Sequence, residues 1–186
     1  MAWILWLVLA LVAFLILIFF YYYNRFALLG NRIDNSLGQI DVQLKRRADL
    51  IPNLIETVKA YAKHEKAAIQ SVNDARKSLV SAKGTEAKVK ADLKLEGVLG
   101  RLFAIAENYP DLKANTNFLE LQKELSSTED KVAYSRQFYN DSILDYNNLC
   151  KTFPGKFFAG LYGKKPRHFF EITEASERKP VKVKFD

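Results

Sequence analysis

His64 and Glu65 stand side by side in KAYAKHEKAA, and a histidine followed by a glutamate is how the metal-binding helix of a zinc hydrolase begins. That chemistry needs a second imidazole one helical turn on, so that both rings share a face, and the position is taken by Ala68. A di-iron bundle needs paired Glu-x-x-His motifs, and Tyr61 stands where the glutamate before His64 would be. His64 and His168 are the whole imidazole supply and Cys150 the whole thiol supply, too few nitrogen and sulfur ligands for a zinc site. No G-x-x-x-x-G-K-[ST] loop is available to cradle a phosphate, and no G-x-S-x-G elbow to expose a serine. Cys150 falls in a helical stretch and reads as a buried structural thiol. The residues predict a protein that is not an enzyme and holds no metal or cofactor.

Groups that could bind rather than react are easier to find. Lys45, Arg46 and Arg47 form a basic run that could meet lipid headgroups or an acidic partner, or simply make a solvated helix face. Tyr139–Asn140 and Tyr146–Asn147 recur seven residues apart, as core tyrosines hydrogen-bonded through their hydroxyls would. Near the C-terminus Phe153, Phe157, Phe158, Leu161 and Tyr162 lie among Lys151, Lys156, Lys164, Lys165 and Arg167. Apolar anchors rimmed by basic groups are the composition of a segment lying in a membrane interface, and equally of aromatics capping one end of a helical bundle. The net charge of +7 is uneven: residues 151–186 contribute +5 and everything before them +2. A pI near 9.4 could point to nucleic acid, but basic charge beside aromatics on a tethered chain fits anionic lipid better, so no nucleic-acid partner is expected.

The tether is the first segment. From Ala2 to Tyr23 the only ionisable side chains are tyrosines. At ~1.5 Å per helical residue this run covers the ~30 Å of a bilayer's hydrocarbon layer. Trp3 and Trp6 mark one interface, and Phe19, Phe20, Tyr21, Tyr22 and Tyr23 followed by Asn24 and Arg25 mark the other as an aromatic belt. The start lacks a basic n-region, and Ala10 and Ala13 are too far apart for signal cleavage, so the span is expected to be retained. Arg25, Arg32 and then Lys45–Arg47 follow the span with no basic residue before it. This predicts an N-terminus outside and a cytoplasmic bulk at the bacterial inner membrane, with an outward-facing bulk as the alternative.

Beyond the span, Ile33, Leu37, Ile40, Leu44, Ile51, Leu54, Val58, Tyr61, Ala68, Val72, Ala75 and Leu79 step alternately by four and three, a seam for helices packed at coiled-coil angles. Arg47 and Glu65 interrupt the seam and must point outward or meet charged partners. The seam keeps phase across Pro52, so the first helix is expected to run from the membrane through the proline to about Lys83 as a stalk, stopping at Gly84. A second helix is expected over 86–108, with Leu95, Val98, Leu102, Ile105 and Tyr109 on its buried face and Gly97 and Gly100 either weakening it or admitting a close neighbour. After Pro110 a third is expected over 115–152, carried by Phe118, Leu121, Leu125, Val132, Tyr139, Tyr146 and Leu149. The run Val181–Phe185 alternates like a sheet edge. The domain plan is an anchor (1–24), a helical bundle (25–152) and a basic aromatic tail (153–186).

Ile40 to Glu65, IDVQLKRRADLIPNLIETVKAYAKHE, closely resembles the signature of the LemA family of bacterial membrane proteins. AENYPDLKANTNFLELQKEL, ending at Leu125, FPGKFFAGLYG from Phe153 and the closing PVKVKF fit the same family. The resemblance implies an N-terminal anchor, an all-α, antiparallel four-helix-bundle-like domain and no established enzymatic activity. Some LemA-like proteins belong to bacterial organelle membranes, which points to membrane organisation. Residues and resemblance together predict a membrane-anchored scaffold that forms a homo-oligomer and organises or senses anionic lipid or other membrane proteins. An adaptor for a membrane-bound protease or signalling kinase is the alternative. The orientation is testable with a membrane-impermeant thiol reagent on intact cells. A cysteine placed at position 2 should be labelled and one at position 84 should not, and labelling at position 84 alone would reverse the assignment.

Overall fold

A computed structural model describes residues 2–169, and the alternating run 181–185 lies outside them. The described residues form six helices and no strand: α1 Ala2–Tyr61, α2 Lys66–Ser81, α3 Thr85–Ala106, α4 Pro110–Lys113, α5 Thr116–Lys151 and α6 Gly155–Leu161. They pack as two units. One takes in Met1–Leu29 and Asn140–Asp186, of which 2–29 and 140–169 are described; the other is Gly30–Tyr139.

Within Gly30–Tyr139 the seam of α1 is internal: Ile33, Ile40, Leu44, Ile51, Leu54 and Val58 are buried, with Leu37 half-buried. Fully burying each such side chain is worth about 1.5–3 kcal/mol. As expected, α1 passes through Pro52 without ending. A proline has no N–H for the carbonyl four residues back, here that of the buried Ala48. That oxygen instead accepts from Nε of Arg76 on α2, at 2.8 Å. A side chain from another helix supplies the donor that the proline removes.

The same bond corrects the expectation of a stalk reaching Lys83. Positions 48 and 76 would be about 42 Å apart along one helix at ~1.5 Å per residue, so the chain reverses between them. It does so at Ala62–Glu65, where the Glu65 N–H bonds the Ala62 carbonyl at 3.2 Å and no non-glycine residue has positive φ. Four residues are close to one helical turn of ~3.6, so the apolar spacing resumes in phase on α2 with Val72, Ala75 and Leu79 buried. The seam was real, but it belonged to two antiparallel helices.

Gly84, at φ 81°, makes the next reversal in the left-handed region that a glycine enters without a Cβ clash. On α3 the buried stripe is Asp92, Leu95, Leu99, Leu102 and Ala106, so Val98, Ile105 and Tyr109 are only half-buried and the expected phase was partly wrong. Gly97 and Gly100 face open space, with no close neighbour. Pro110 begins α4 at its first turn, where a missing N–H is harmless. The Asn115 side chain then accepts the Phe118 N–H at 3.0 Å, capping the start of α5. Asn115 also donates to the Tyr61 hydroxyl at 3.0 Å, and Arg46 and Arg47 meet Glu124 and Glu129, so α5 runs antiparallel to α1. The helices of Gly30–Tyr139 thus go up, down, up and down.

In the other unit Phe26, Leu29, Ile143, Tyr146, Cys150 and Ala159 are buried together, with the Phe26 and Tyr146 rings edge to face at 5.7 Å. Burial pushes the Cys150 thiol up, which keeps it protonated. Asn147 brackets the backbone of Arg167, its amide donating to the carbonyl at 2.8 Å and its oxygen accepting the N–H at 2.7 Å. The Arg167 guanidinium lies 5.3 Å over the Tyr146 ring. A Cβ at Gly155 would collide with the Leu149 carbonyl oxygen, so only glycine lets α6 start where it does.

The substitute donor at Ala48 predicts a thermodynamic coupling. Arg76→Ala should destabilise the full chain in detergent by about 1–3 kcal/mol, because it orphans a buried carbonyl. In a Pro52→Ala background the restored amide should satisfy Ala48, and most of that loss should disappear. Equal losses in the two backgrounds would show that Arg76 does not replace the missing amide.

Candidate functional site

The apolar run of α1 buries nothing: no side chain from Ala2 to Arg25 is buried, and Trp3, Trp6, Tyr21 and Tyr23 are all exposed. This stretch is long and apolar enough to cross a membrane, and its exposure makes the protein membrane-associated rather than a core helix wrapped in its own chain. Where the run ends, α6 packs against it. Tyr22 stacks on Phe158 with ring centroids 4.6 Å apart and planes 7° from parallel. Tyr162, one turn further along α6, stands edge-on to Phe19, Tyr23 and Phe26 at 5.3, 5.7 and 6.0 Å. Its hydroxyl donates to the Phe19 carbonyl at 2.6 Å. Partial desolvation pushes the Tyr162 phenol up, so it stays a donor. Aromatic pairs in such offset and edge-to-face arrangements contribute about 0.5–1.5 kcal/mol each beyond area burial.

Phe157 and Phe158, adjacent in sequence, therefore do different things. Phe158 is half-buried on α1, whereas Phe157 is 66% exposed, Leu161 one turn on is 58% exposed, and Phe153 just before the helix is 89% exposed. Lys156, Lys164 and Lys165 are exposed around them, and Arg25 is half-buried on α1. The two readings of this segment, end-cap and interfacial patch, each describe one face of the same short helix. Phe19, Tyr22, Tyr23 and Phe26 of α1 with Phe158 and Tyr162 form an aromatic collar where α6 meets α1. The sequence put Phe19 in the aromatic belt but could not show that it would meet Tyr162.

The basic run of α1 divides as well. Lys45 is exposed, and Arg46 pairs on the surface with Glu124 at 2.6 Å. Arg47 is not a surface group: its side chain is 2% exposed, donating to Asp92 at 2.8 Å and to Glu129 at 3.0 Å. Asp92, also 2% exposed, accepts at its other oxygen from Arg136 at 2.7 Å. Of the two fates expected for a charge on the seam, Arg47 takes the charged partners, and it is unavailable to an external ligand. One turn beyond Asp92, Glu96 has its carboxyl pushed up, first by burial and then by the Glu129 charge. The Nε atoms of Arg47 and Arg136 are buried with no hydrogen-bond partner among the described residues, while Glu129 at the edge of the cluster is half exposed. Asp92 was legible only in hindsight, as an acid in step with Leu95, Leu99 and Leu102.

His64 is exposed and Glu65 accepts the Tyr109 hydroxyl at 2.8 Å, a bond that raises the phenol's pKa because ionising it would place two negative charges together. Glu65, like Arg47, interrupts the seam by finding a partner.

The LemA family model matches residues 36–185. Among relatives, magnetosome protein MamQ of Magnetospirillum gryphiswaldense is 26% identical over 91% of this chain and 72% of its own length. MamQ 2 of Paramagnetospirillum magneticum is 24% identical over 83% of this chain and 66% of its own. Protein LemA of Metamycoplasma hominis is 25% identical over 66% of this chain and 57% of its own. The chain thus spans about two thirds of the length of the magnetosome relatives.

The two adjacent arginines give an internal contrast. Arg47→Ala should cost about 3 kcal/mol of unfolding free energy, because it leaves the buried Asp92 with Arg136 as its one remaining ion-pair partner among the described residues and empties a buried site. Arg46→Ala should cost no more than about 1 kcal/mol, as exposed pairs do. Denaturant titration of the full chain in detergent measures both, and similar losses would place Arg47 at the surface.

Proposed function

The chain belongs to the LemA family, and on that premise we propose that it is a non-enzymatic scaffold, anchored in the bacterial inner membrane, which self-associates and organises or senses the bilayer or its proteins. One observation carries the reading: an apolar helix that buries nothing from Ala2 to Arg25, gripped at its end by a basic, aromatic short helix. A membrane supplies both the apolar solvent that the run requires and the anionic surface that the basic groups favour. Relatives named as magnetosome proteins support the membrane-associated part of this reading. The self-association part of the reading draws support from exposed apolar side chains outside the span, among them Val42, Val80, Leu119 and Tyr134 on Gly30–Tyr139. The positive-inside rule directs Gly30–Tyr139 to the cytoplasm.

Size analysis of the full chain, purified in a mild detergent with its mass determined by light scattering, tests the scaffold. A discrete homo-oligomer is expected. A monomer that carries one other protein in fixed ratio would overturn self-association in favour of an adaptor for a membrane-bound protease or kinase.

A further inference from the structure

α6 has two apolar faces, and among the described residues only one of them is covered. Phe158 and Tyr162, four residues apart, lie against α1. Phe157 and Leu161, also four residues apart, are exposed, and so is Phe153 just before the helix. Exposed phenylalanines and a leucine at one short helix cost free energy in water, which an apolar cover would recover.

What covers it is indicated by where α6 is fastened. Its contacts on α1 are Phe19, Tyr22, Tyr23 and Phe26. Twenty residues counted from Trp3 reach Tyr22, and at ~1.5 Å each they traverse the ~30 Å hydrocarbon layer. α6 is therefore pinned at the boundary between acyl chains and headgroups. Three contacts set this level: the Tyr22–Phe158 stack, the Tyr162 hydroxyl on the Phe19 carbonyl, and Tyr162 against Phe26.

Charge separates a lipid surface from a second copy of the chain. Between Asp145 and Glu171 the sequence has five Lys or Arg residues and no carboxylate. Lys156, Lys164 and Lys165 are exposed and make no ion pair among the described residues. Two copies meeting through this face would bring lysines against lysines. An anionic leaflet offers phosphates to the lysines and acyl chains to the rings together, and each basic group near such a surface contributes about 1 kcal/mol of attraction.

We propose that α6 is an interfacial lipid-binding helix: Phe157 and Leu161 enter the upper acyl region of an anionic leaflet while Lys156, Lys164 and Lys165 pair with phospholipid phosphates. The proposal rests on the reading of α1 as a membrane anchor. Phe158 and Tyr162 have a different job, aiming the helix from the span. Their removal tilts or frees α6, whereas removal of Phe157 and Leu161 leaves it packed and takes away only its hold on lipid.

The test uses the full chain in nanodiscs of phosphatidylcholine alone or mixed with phosphatidylglycerol, in a Cys150→Ser background. Single nitroxide labels are placed by Leu161→Cys on α6, Leu11→Cys in the apolar run and Lys123→Cys on α5. Collision rates with oxygen, which concentrates in lipid, and with a nickel chelate, which stays in water, report the surroundings of each label. At position 161 oxygen should dominate in anionic discs. The preference should shrink in neutral discs, in high salt, or with Lys156, Lys164 and Lys165 all changed to Gln. Position 123 should favour the chelate throughout. If position 11 is in lipid while position 161 favours the chelate in both kinds of disc, the lipid role of α6 is overturned and the anchor survives. If position 11 itself favours the chelate, the anchor reading fails. A label at 161 shielded from both reagents would mean that protein, a second copy or another partner, covers the face, and that too overturns the proposal.

Discussion

Arg47 cannot leave water without Asp92 and Glu129, and that requirement decides which helices of Gly30–Tyr139 meet. A lone guanidinium in a dry interior is costly enough that the fold supplies two carboxylates from two other helices, with Arg136 on the far side of Asp92. Apolar packing favours one register by shape, and a buried polar group at a seam position adds to that preference. A charge and its partners do not slide, because a shift of one turn would separate Arg47 from Asp92 by several ångströms with both still buried. The cluster sets the vertical register of α1, α3 and α5, and Arg76 on the Ala48 carbonyl does the same for α2.

The spacing of apolar residues made most of the helices legible. The extents of α3 and α5 and the passage of α1 through Pro52 follow from it, whereas the break at Gly84 was legible from the glycine itself. What it could not convey was direction. A turn of four residues returns the pattern to phase, so the reversal at Ala62–Glu65 leaves no mark on the four-three spacing. The informative signal there was chemical: Pro52 orphans a carbonyl, a buried carbonyl needs a donor, and Arg76 is one that can reach it only if the chain turns back.

The same limit applies to the collar. Composition marked Phe157, Phe158, Lys164, Lys165 and Arg167 as a group fit for an interface, but composition has no faces. The assignment of one phenylalanine to α1 and its neighbour to the outside comes from the 100° between successive helical residues, and it needs the starting angle of α6 to be known. That angle is set by residues without an apolar signature. Gly155 lets the first turn pass the Leu149 carbonyl, where any Cβ would collide. Asn147 holds the Arg167 backbone by both its N–H and its carbonyl.

Polar contacts thus serve opposite ends in the two units. In Gly30–Tyr139 the buried Arg47 and Asp92 are neutralised by each other and by Glu129 and Arg136, which ties the apolar core to one register. In the unit containing α6 the carboxylates are missing from 146–170 altogether, and its lysines are left facing out. A basic surface with no internal counter-charge is unstable by self-repulsion unless anions gather on it. In the proposed lipid-bound state, the dense source of such anions is the headgroup layer of the bilayer that the apolar helix would cross. Electrostatics and burial then favour one depth for α6, the depth at which Tyr22 and Tyr162 already hold it.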